Sequence, residues 1–200
     1  NITDKAQCCG CGACQNICPK CAITMTPDAE GFLYPRVNFD ACVKCGLCLK
    51  VCPLINKPLP NKIKSAYAAK AAQESVLAAS SSGGMFSIFA LEVLKRGGVV
   101  FGAGYDKDWN VVHACARNAE ELDNLRRSKY VQSDIGGTFK QVREFLDKGL
   151  PVMFAGTPCQ IAGLKNFLGK DYPLQKPGEV GRLATERSPY GVEMGVRYPE

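Results

Sequence analysis

Eight cysteines in two matching runs are the residues of this chain whose type and spacing most directly imply chemistry. The runs read Cys8-x2-Cys11-x2-Cys14-x3-Cys18-Pro19 and Cys42-x2-Cys45-x2-Cys48-x3-Cys52-Pro53. Each cysteine of the second run lies 34 residues after its counterpart, so the stretch is an internal repeat. A cube of iron and sulfide needs thiolates converging from different directions. Cysteines at two-residue intervals can wrap one short loop around part of such a cube, but the remaining ligand has to come from outside that loop. Two cubane sites are therefore specified.

In bacterial two-cluster ferredoxins the cysteine of the Cys-Pro pair ligates the other cluster. Carried onto this sequence, one [4Fe-4S] cluster takes Cys8, Cys11, Cys14 and Cys52, and the other takes Cys42, Cys45, Cys48 and Cys18. The proline after each fourth cysteine fixes φ and turns the chain out of the loop. Gly10, Gly12 and Gly46 leave room for backbone amides to approach the cluster sulfurs. A structural zinc site would take four ligands in two pairs, fewer than these quartets supply. A disulfide framework is disfavoured by the absence of a signal-like N-terminus and by such dense thiolate loops, which suit a reducing compartment. Cys9 and Cys21 fall outside the ligand spacing and are expected as small buried or half-buried thiols.

The elements that must position these ligands follow from pattern. Between the quartets, residues 22–25 and 32–34 read as short strands joined by a turn at residues 27–31, with apolar side chains that cover the clusters. Lys57-Pro58-Leu59-Pro60-Asn61-Lys62 breaks all periodicity and sets a boundary. The expected organisation is a ferredoxin domain over 1–56, a linker over 57–65 and an α/β domain over 66–172. Within the latter, strands are expected at 66–71, 99–102, 111–116 and 151–155, a short extended piece at 130–132, and helices at 85–96, 119–127, 138–148 and 160–168. Strands alternating with helices imply a largely parallel sheet, and the whole chain is expected to be α+β.

Composition bounds the rest. The hydrophobic fraction of 46% is ordinary, and no apolar run approaches the roughly 18 residues of a spanning helix. A soluble, cytoplasmic protein is expected. Eight thiolates and two cores of about +2 each would lower the formal charge of +6 to roughly +2, which gives no case for a nucleic-acid partner. The chain begins without Met, as expected of a processed or partial chain.

Two loops of the α/β part stand where strands feed helices, the usual place for ligands. Ser80-Ser81-Ser82-Gly83-Gly84 reads first as a helix start, and its hydroxyls and open amides would also suit a phosphate group. Cys159 follows Gly-Thr-Pro at a helix N-terminus. There, amide dipoles would stabilise a thiolate for redox chemistry or for a further metal centre, and a buried structural cysteine is the equal alternative. Cys115 is expected in the core, and His113, the single histidine, as a packed or surface residue.

The order of these pieces resembles one family. After the two-cluster module come Ser82-Gly83-Gly84-Met85-Phe86-Ser87, Gly97-Gly98-Val99-Val100-Phe101-Gly102, Ser128-Lys129-Tyr130-Val131-Gln132-Ser133-Asp134 and Gly156-Thr157-Pro158-Cys159-Gln160-Ile161-Ala162-Gly163-Leu164. Together they are similar to the beta subunits of coenzyme F420 hydrogenase/dehydrogenase, over residues 1–172. The resemblance implies an oxidoreductase that passes electrons between its clusters and a bound FAD, with a redox partner protein or soluble electron carrier. It implies that Ser82, Gly83, Gly84, Lys129, Gln132 and Ser133 border the flavin, with Cys159 nearby. Family chains continue further, whereas the recognised pattern stops near residue 172 and residues 173–200 show no apolar period. A truncated or frame-altered member with a disordered tail is the expectation. A stand-alone ferredoxin-type electron carrier without a competent flavin site is the alternative function.

Overall fold

The computed structural model describes residues 5–57, 67–170 and 172, together with the backbone of 193–197. The chain opens with a 3-10 turn at Lys5–Gln7, followed by α1 (Ala13–Ile17), the strands β1 (Ile23–Pro27) and β2 (Leu33–Val37), and α2 (Leu47–Lys50). β1 and β2 form an antiparallel ribbon in which Ile23 pairs with Val37 and Pro27 with Leu33. The connecting turn is held by Asp28, whose carboxylate accepts the amides of Glu30 and Phe32, each at 3.0 Å. An Asp that bonds backbone two and four residues on is a local turn former, which is why the chain reverses here.

The second part contains α3 (Glu74–Ala78), α4 (Met85–Lys95), β3 (Val99–Tyr105), β4 (Val111–Ala116), α5 (Ala119–Leu125), α6 (Thr138–Asp147), β5 (Val152–Gly156), α7 (Pro158–Leu168) and β6 (Glu193–Arg197). β5 is buried along its whole length and β3 along nearly all of it, as expected of strands covered on both faces. α6 buries Phe139, Val142 and Leu146, the three- and four-residue spacing of an amphipathic helix. α5 begins at Asn118, whose side-chain oxygen accepts the Glu121 amide at 2.8 Å.

The sheet order is β4-β3-β5-β6. Only the β3–β5 pair is parallel; β3–β4 and β5–β6 are antiparallel, so the sheet is mixed rather than largely parallel. The cause is a short connection. Asp106 accepts the amides of Asp108 and Asn110 (2.9 Å each), closing a turn too tight for a parallel crossover. Three further expectations are corrected. No strand forms at 67–71, where residues 67–70 are exposed and Ala71 N instead donates to Gly83 O at 2.7 Å. Apolar alternation there faces no core. No strand forms at 130–132 either; the extended contact falls later, as a bridge between Asp134 and Val112. Finally, the tail expected to be disordered supplies β6 at 193–197, where backbone pairing to the open edge of β5 needs no apolar period.

Residues 58–66, which contain most of the expected linker, lie outside the described residues. On either side of them the chain shares one core: Cys11, Ala13 and Val51 pack in the same cluster as Phe101, Phe139, Phe154, Ile161, Leu164 and Phe167. A second cluster, with Val93, Val100, Leu122 and Met153, fills the opposite face of the sheet. Among the described residues no helix is long and apolar enough to cross a membrane.

Candidate iron–sulfur centre

The 34-residue repeat extends from residue types to backbone angles. Gly12 (φ 72°, ψ −2°) precedes α1 and Gly46 (φ 75°, ψ −3°) precedes α2, each in the left-handed region at the N-cap. Two residues earlier, Gly10 (φ 63°) and Lys44 (φ 54°) are left-handed as well. Each half therefore bends twice in the same sense around its first three cysteines and delivers the third, Cys14 or Cys48, to the second position of a short helix. Cys18 caps α1, and Cys52 lies one residue beyond the cap of α2. A lysine at φ 54° costs about 1 kcal/mol relative to glycine, a strain that persists only when the surrounding loop requires it.

Cys8, Cys11, Cys14 and Cys52 line one cavity, together with Cys9 and Cys48. Met25 and Pro35 from the β1–β2 ribbon and Leu49 and Leu54 from the second repeat complete an apolar wall. Among the described residues no three histidine, cysteine or acidic side chains converge as the ligands of a single ion do. The thiols stand around a space instead. Gly10 N points at Cys8 Sγ (3.5 Å) and Ala22 N at Cys18 Sγ (3.3 Å), the kind of amide–sulfur contact that tunes a cluster. Burial first, then the neighbouring Cys8 and, less strongly, Cys48 and Cys52, together push the Cys14 thiol up to about 12 against the opposing Gln15 amide. Burial likewise raises Cys8, against the Gly10 amide. Thiols crowded this way hold their protons until a cationic core displaces them, so the donor set fits a polynuclear iron–sulfur group.

The remaining members of the second quartet stand elsewhere. Cys18, Cys42 and Cys45 do not line this cavity, Cys42 is half-buried and Cys45 is exposed. Cys48, assigned by spacing to the other cluster, does line it. The two repeats differ most in what covers them. Cys11 is 8% exposed and presses on Gly163 of α7, where an added Cβ would meet its Sγ at 3.0 Å, while Cys45, its counterpart, faces solvent.

Cys21, expected buried or half-buried, is exposed; its φ of 49° at the turn after Cys18-Pro19 swings the side chain outward. Cys159 stands at the second position of α7, as expected, but its thiol is pushed up rather than down. The Cys9 thiol hydrogen-bonded to it and burial outweigh the Thr157 hydroxyl and the Gln160 amide. Its sulfur lies 3.1 Å from Thr157 Oγ1 and 3.8 Å from Cys9 O. Cys115 is half-buried on β4.

The residues expected to border a flavin fall into two neighbouring segments, joined by Ser81 Oγ and Ser128 Oγ at 3.2 Å. Ser82 is exposed and Gly83 half-buried; an added Cβ on Gly83 would meet Ala69 O at 2.7 Å, and Gly84 starts α4 at φ 79°. Lys129 Nζ donates to the carbonyls of Asn124 (2.7 Å) and Arg126 (2.6 Å). Gln132 Oε1 accepts Leu33 N at 2.9 Å, and its amide passes so close to Gly10 that no side chain fits there.

Ser133 is buried in a polar chain that spacing did not reveal. His113 Nε2 faces the Ala155 carbonyl at 3.0 Å and must donate to it, so Nδ1 accepts from Ser133 Oγ–H at 2.8 Å. Ser133 Oγ in turn accepts from Gln160 Nε2 at 3.0 Å, while Gln160 Oε1 accepts Thr157 N at 2.9 Å and closes the capping box of α7. The chain ties β4, the 128–134 segment and the start of α7 together. In sequence, only the pairing of a buried-strand histidine with a Thr-x-x-Gln capping signal hinted at it.

Residues 7–54 match the family model of the 4Fe-4S dicluster domain, and residues 66–139 match that of the N-terminal part of the coenzyme F420 hydrogenase/dehydrogenase beta subunit. One component of the F(420)H(2) dehydrogenase of Methanosarcina mazei is 25% identical over 162 residues, which cover 76% of this chain and 46% of that protein. Coenzyme F420-dependent sulfite reductase of Methanocaldococcus jannaschii is 28% identical over 188 residues, covering 90% of this chain and 28% of that protein. The chain thus spans less than half the length of either relative.

Proposed function

We propose that this chain, which belongs with the beta subunits of coenzyme F420 hydrogenase/dehydrogenase, is an iron–sulfur electron-transfer component of an oxidoreductase, with two [4Fe-4S] clusters and a flavin as its redox groups. The clusters and flavin would supply the electron chemistry; the chain contributes ligands, exclusion of water and relative placement. The observation that carries the reading is that Cys52, from the second repeat, lines the same cavity as Cys8, Cys11 and Cys14 from the first. Crossed ligation asks for that exchange, with Cys18 returning the ligand to Cys42, Cys45 and Cys48. Met25, Pro35, Leu49 and Leu54 would keep water from the inner site. The names of the relatives favour a partner system that exchanges electrons with coenzyme F420.

The flavin would rest on the 80–84 loop and on the 128–131 segment, whose Tyr130 and Val131 offer exposed apolar surface beside Ser128. Ser133, Gln132 and Lys129 would hold that surface from behind, since their polar atoms are engaged within the protein. The same engagement favours the second reading, an electron carrier without flavin. Anaerobic reconstitution with iron, sulfide and FAD decides between them. About eight irons per chain with stoichiometric FAD supports the full relay, the same iron without FAD supports the carrier, and colourless zinc-loaded protein contradicts both.

A further inference from the structure

The second repeat leaves several apolar side chains uncovered. Val43, Leu49, Leu54 and Ile55 are exposed, and Asn56 Nδ2 donates to Leu49 O at 2.8 Å, folding the 54–57 turn back over α2. Leu49 and Leu54 both reach from this surface into the cavity lined by Cys8, Cys11, Cys14, Cys48 and Cys52. Exposed Cys45 opens on the same loop. Its counterpart in the first repeat is instead sealed against Gly163 and the shared core. One end of the repeat thus faces inward and the other faces outward.

Charge selects what can cover the outer end. Residues 41–57 carry Lys44, Lys50 and Lys57, all exposed, and no acidic residue. A cluster of four thiolates and a core of about +2 has a net charge of roughly −2, which by itself would repel an anionic partner. The lysines reverse that sign at the rim. A second copy of this chain fits poorly, because a two-fold contact would place these lysines against themselves. The segments outside the described residues fit no better: 58–66 carries Lys62 and Lys64 and no acid, and in 173–192 Lys176, Arg182 and Arg187 outnumber Glu179 and Glu186.

From this juxtaposition we infer that the face formed by Val43, Leu49, Leu54 and Ile55 with Lys44, Lys50 and Lys57 is the docking site of a small acidic one-electron carrier protein. The carrier's carboxylates meet the lysine rim while its apolar centre covers Leu49, Leu54 and Ile55 next to Cys45. One electron crosses per encounter, the carrier being oxidised and the nearer iron–sulfur site reduced, with no bond or proton exchanged. The opposite direction uses the same contact. Steering by the rim raises the encounter rate and makes it fall with salt.

This inference rests on the two-cluster reading, and the experiment separates the two. The reconstituted protein and the triple variant Lys44→Asn/Lys50→Glu/Lys57→Glu are compared, asparagine being chosen because it tolerates the left-handed backbone at 44. The probe is a reduced acidic [2Fe-2S] ferredoxin; methyl viologen radical cation is the control donor. Iron content is measured first, and its loss in the parent protein counts against the cluster reading rather than the docking site. With iron intact in both, the variant is expected to accept electrons from the ferredoxin at least about tenfold more slowly at low salt and to bind it at least about tenfold more weakly by calorimetry. Reduction by the viologen, a cation, should not slow. Equal rates and affinities for parent and variant would overturn the inference. So would a concentration-dependent dimer that the variant disperses, since a second copy would then be the occupant.

Discussion

Lys44 and Gly10 occupy equivalent positions of a duplicated loop, and the difference between them is a test of how strictly the loop geometry is imposed. Both are left-handed, but only one is glycine. Lys44→Gly is expected to raise the unfolding free energy of the metal-free chain by up to about 1 kcal/mol, the backbone strain relieved less the added chain entropy. Gly10→Ala should do the opposite and more strongly. Its Cβ would lie 2.2 Å from Gln132 Nε2 and 2.7 Å from Leu33 O, so a loss of about 2–4 kcal/mol is expected in urea titrations. His113 supplies a prediction of another kind. Burial lowers its imidazole from 6.5 to about 4, so the neutral ring stabilises the fold fully above about pH 6.5, and that contribution is lost as pH falls toward 4. Between pH 7.5 and 5.5 the protein should lose about 1 kcal/mol through this group, a difference that His113→Gln removes from the pH dependence of the urea midpoint.

Secondary-structure elements were legible wherever local chemistry decides them. The apolar spacing of Phe139, Val142 and Leu146 in α6, the glycines closing α4, and β4 at 111–116 all stood in the pattern of residues. What sequence did not disclose were choices made by partners far along the chain. Strand direction turned on the five-residue Asp106–Asn110 turn and on the pairing of β6 with β5, which no period of residues 193–197 announces. Likewise, alternation at 66–71 suggested a strand, but residues 67–70 find no sheet edge and no core. The duplicated loop was legible because cysteine spacing fixes its bends at residues 10, 12, 44 and 46, whereas the engagement of Ser133 with His113 and Gln160 depends on three elements meeting. Gln160→Ala removes both the capping-box contact and the bond to Ser133. It should cost about 2 kcal/mol in thermal or urea unfolding, whereas Gln141→Ala, on exposed α6 surface, should change little.

Over the whole molecule, a near-symmetric repeat is placed asymmetrically. One end shares a hydrophobic core with the mixed sheet through Cys11, Ala13 and α7; the other presents Cys45 and lysines to solvent. Under the proposed function this arrangement would order a relay from surface to interior, with Gln132 joining the first cysteine loop to the segment proposed to carry a flavin. Gly163 of α7 is where the sheet part packs against Cys11 and Ala13 of that loop. Gly163→Ala should lower the thermal midpoint and the iron retained in the inner site while sparing the outer one, because its Cβ would crowd Cys11 Sγ and Ala13.

Crossed ligation is the claim on which the rest depends, and iron analysis with electron paramagnetic resonance of the reduced protein tests it most directly. The parent is expected to hold about eight irons and to show the broadened signal of two magnetically coupled clusters, while Cys52→Ser and Cys18→Ser each retain about four irons and a single uncoupled signal. Two full clusters surviving in either variant, or a parent that holds zinc and no iron, would contradict the account.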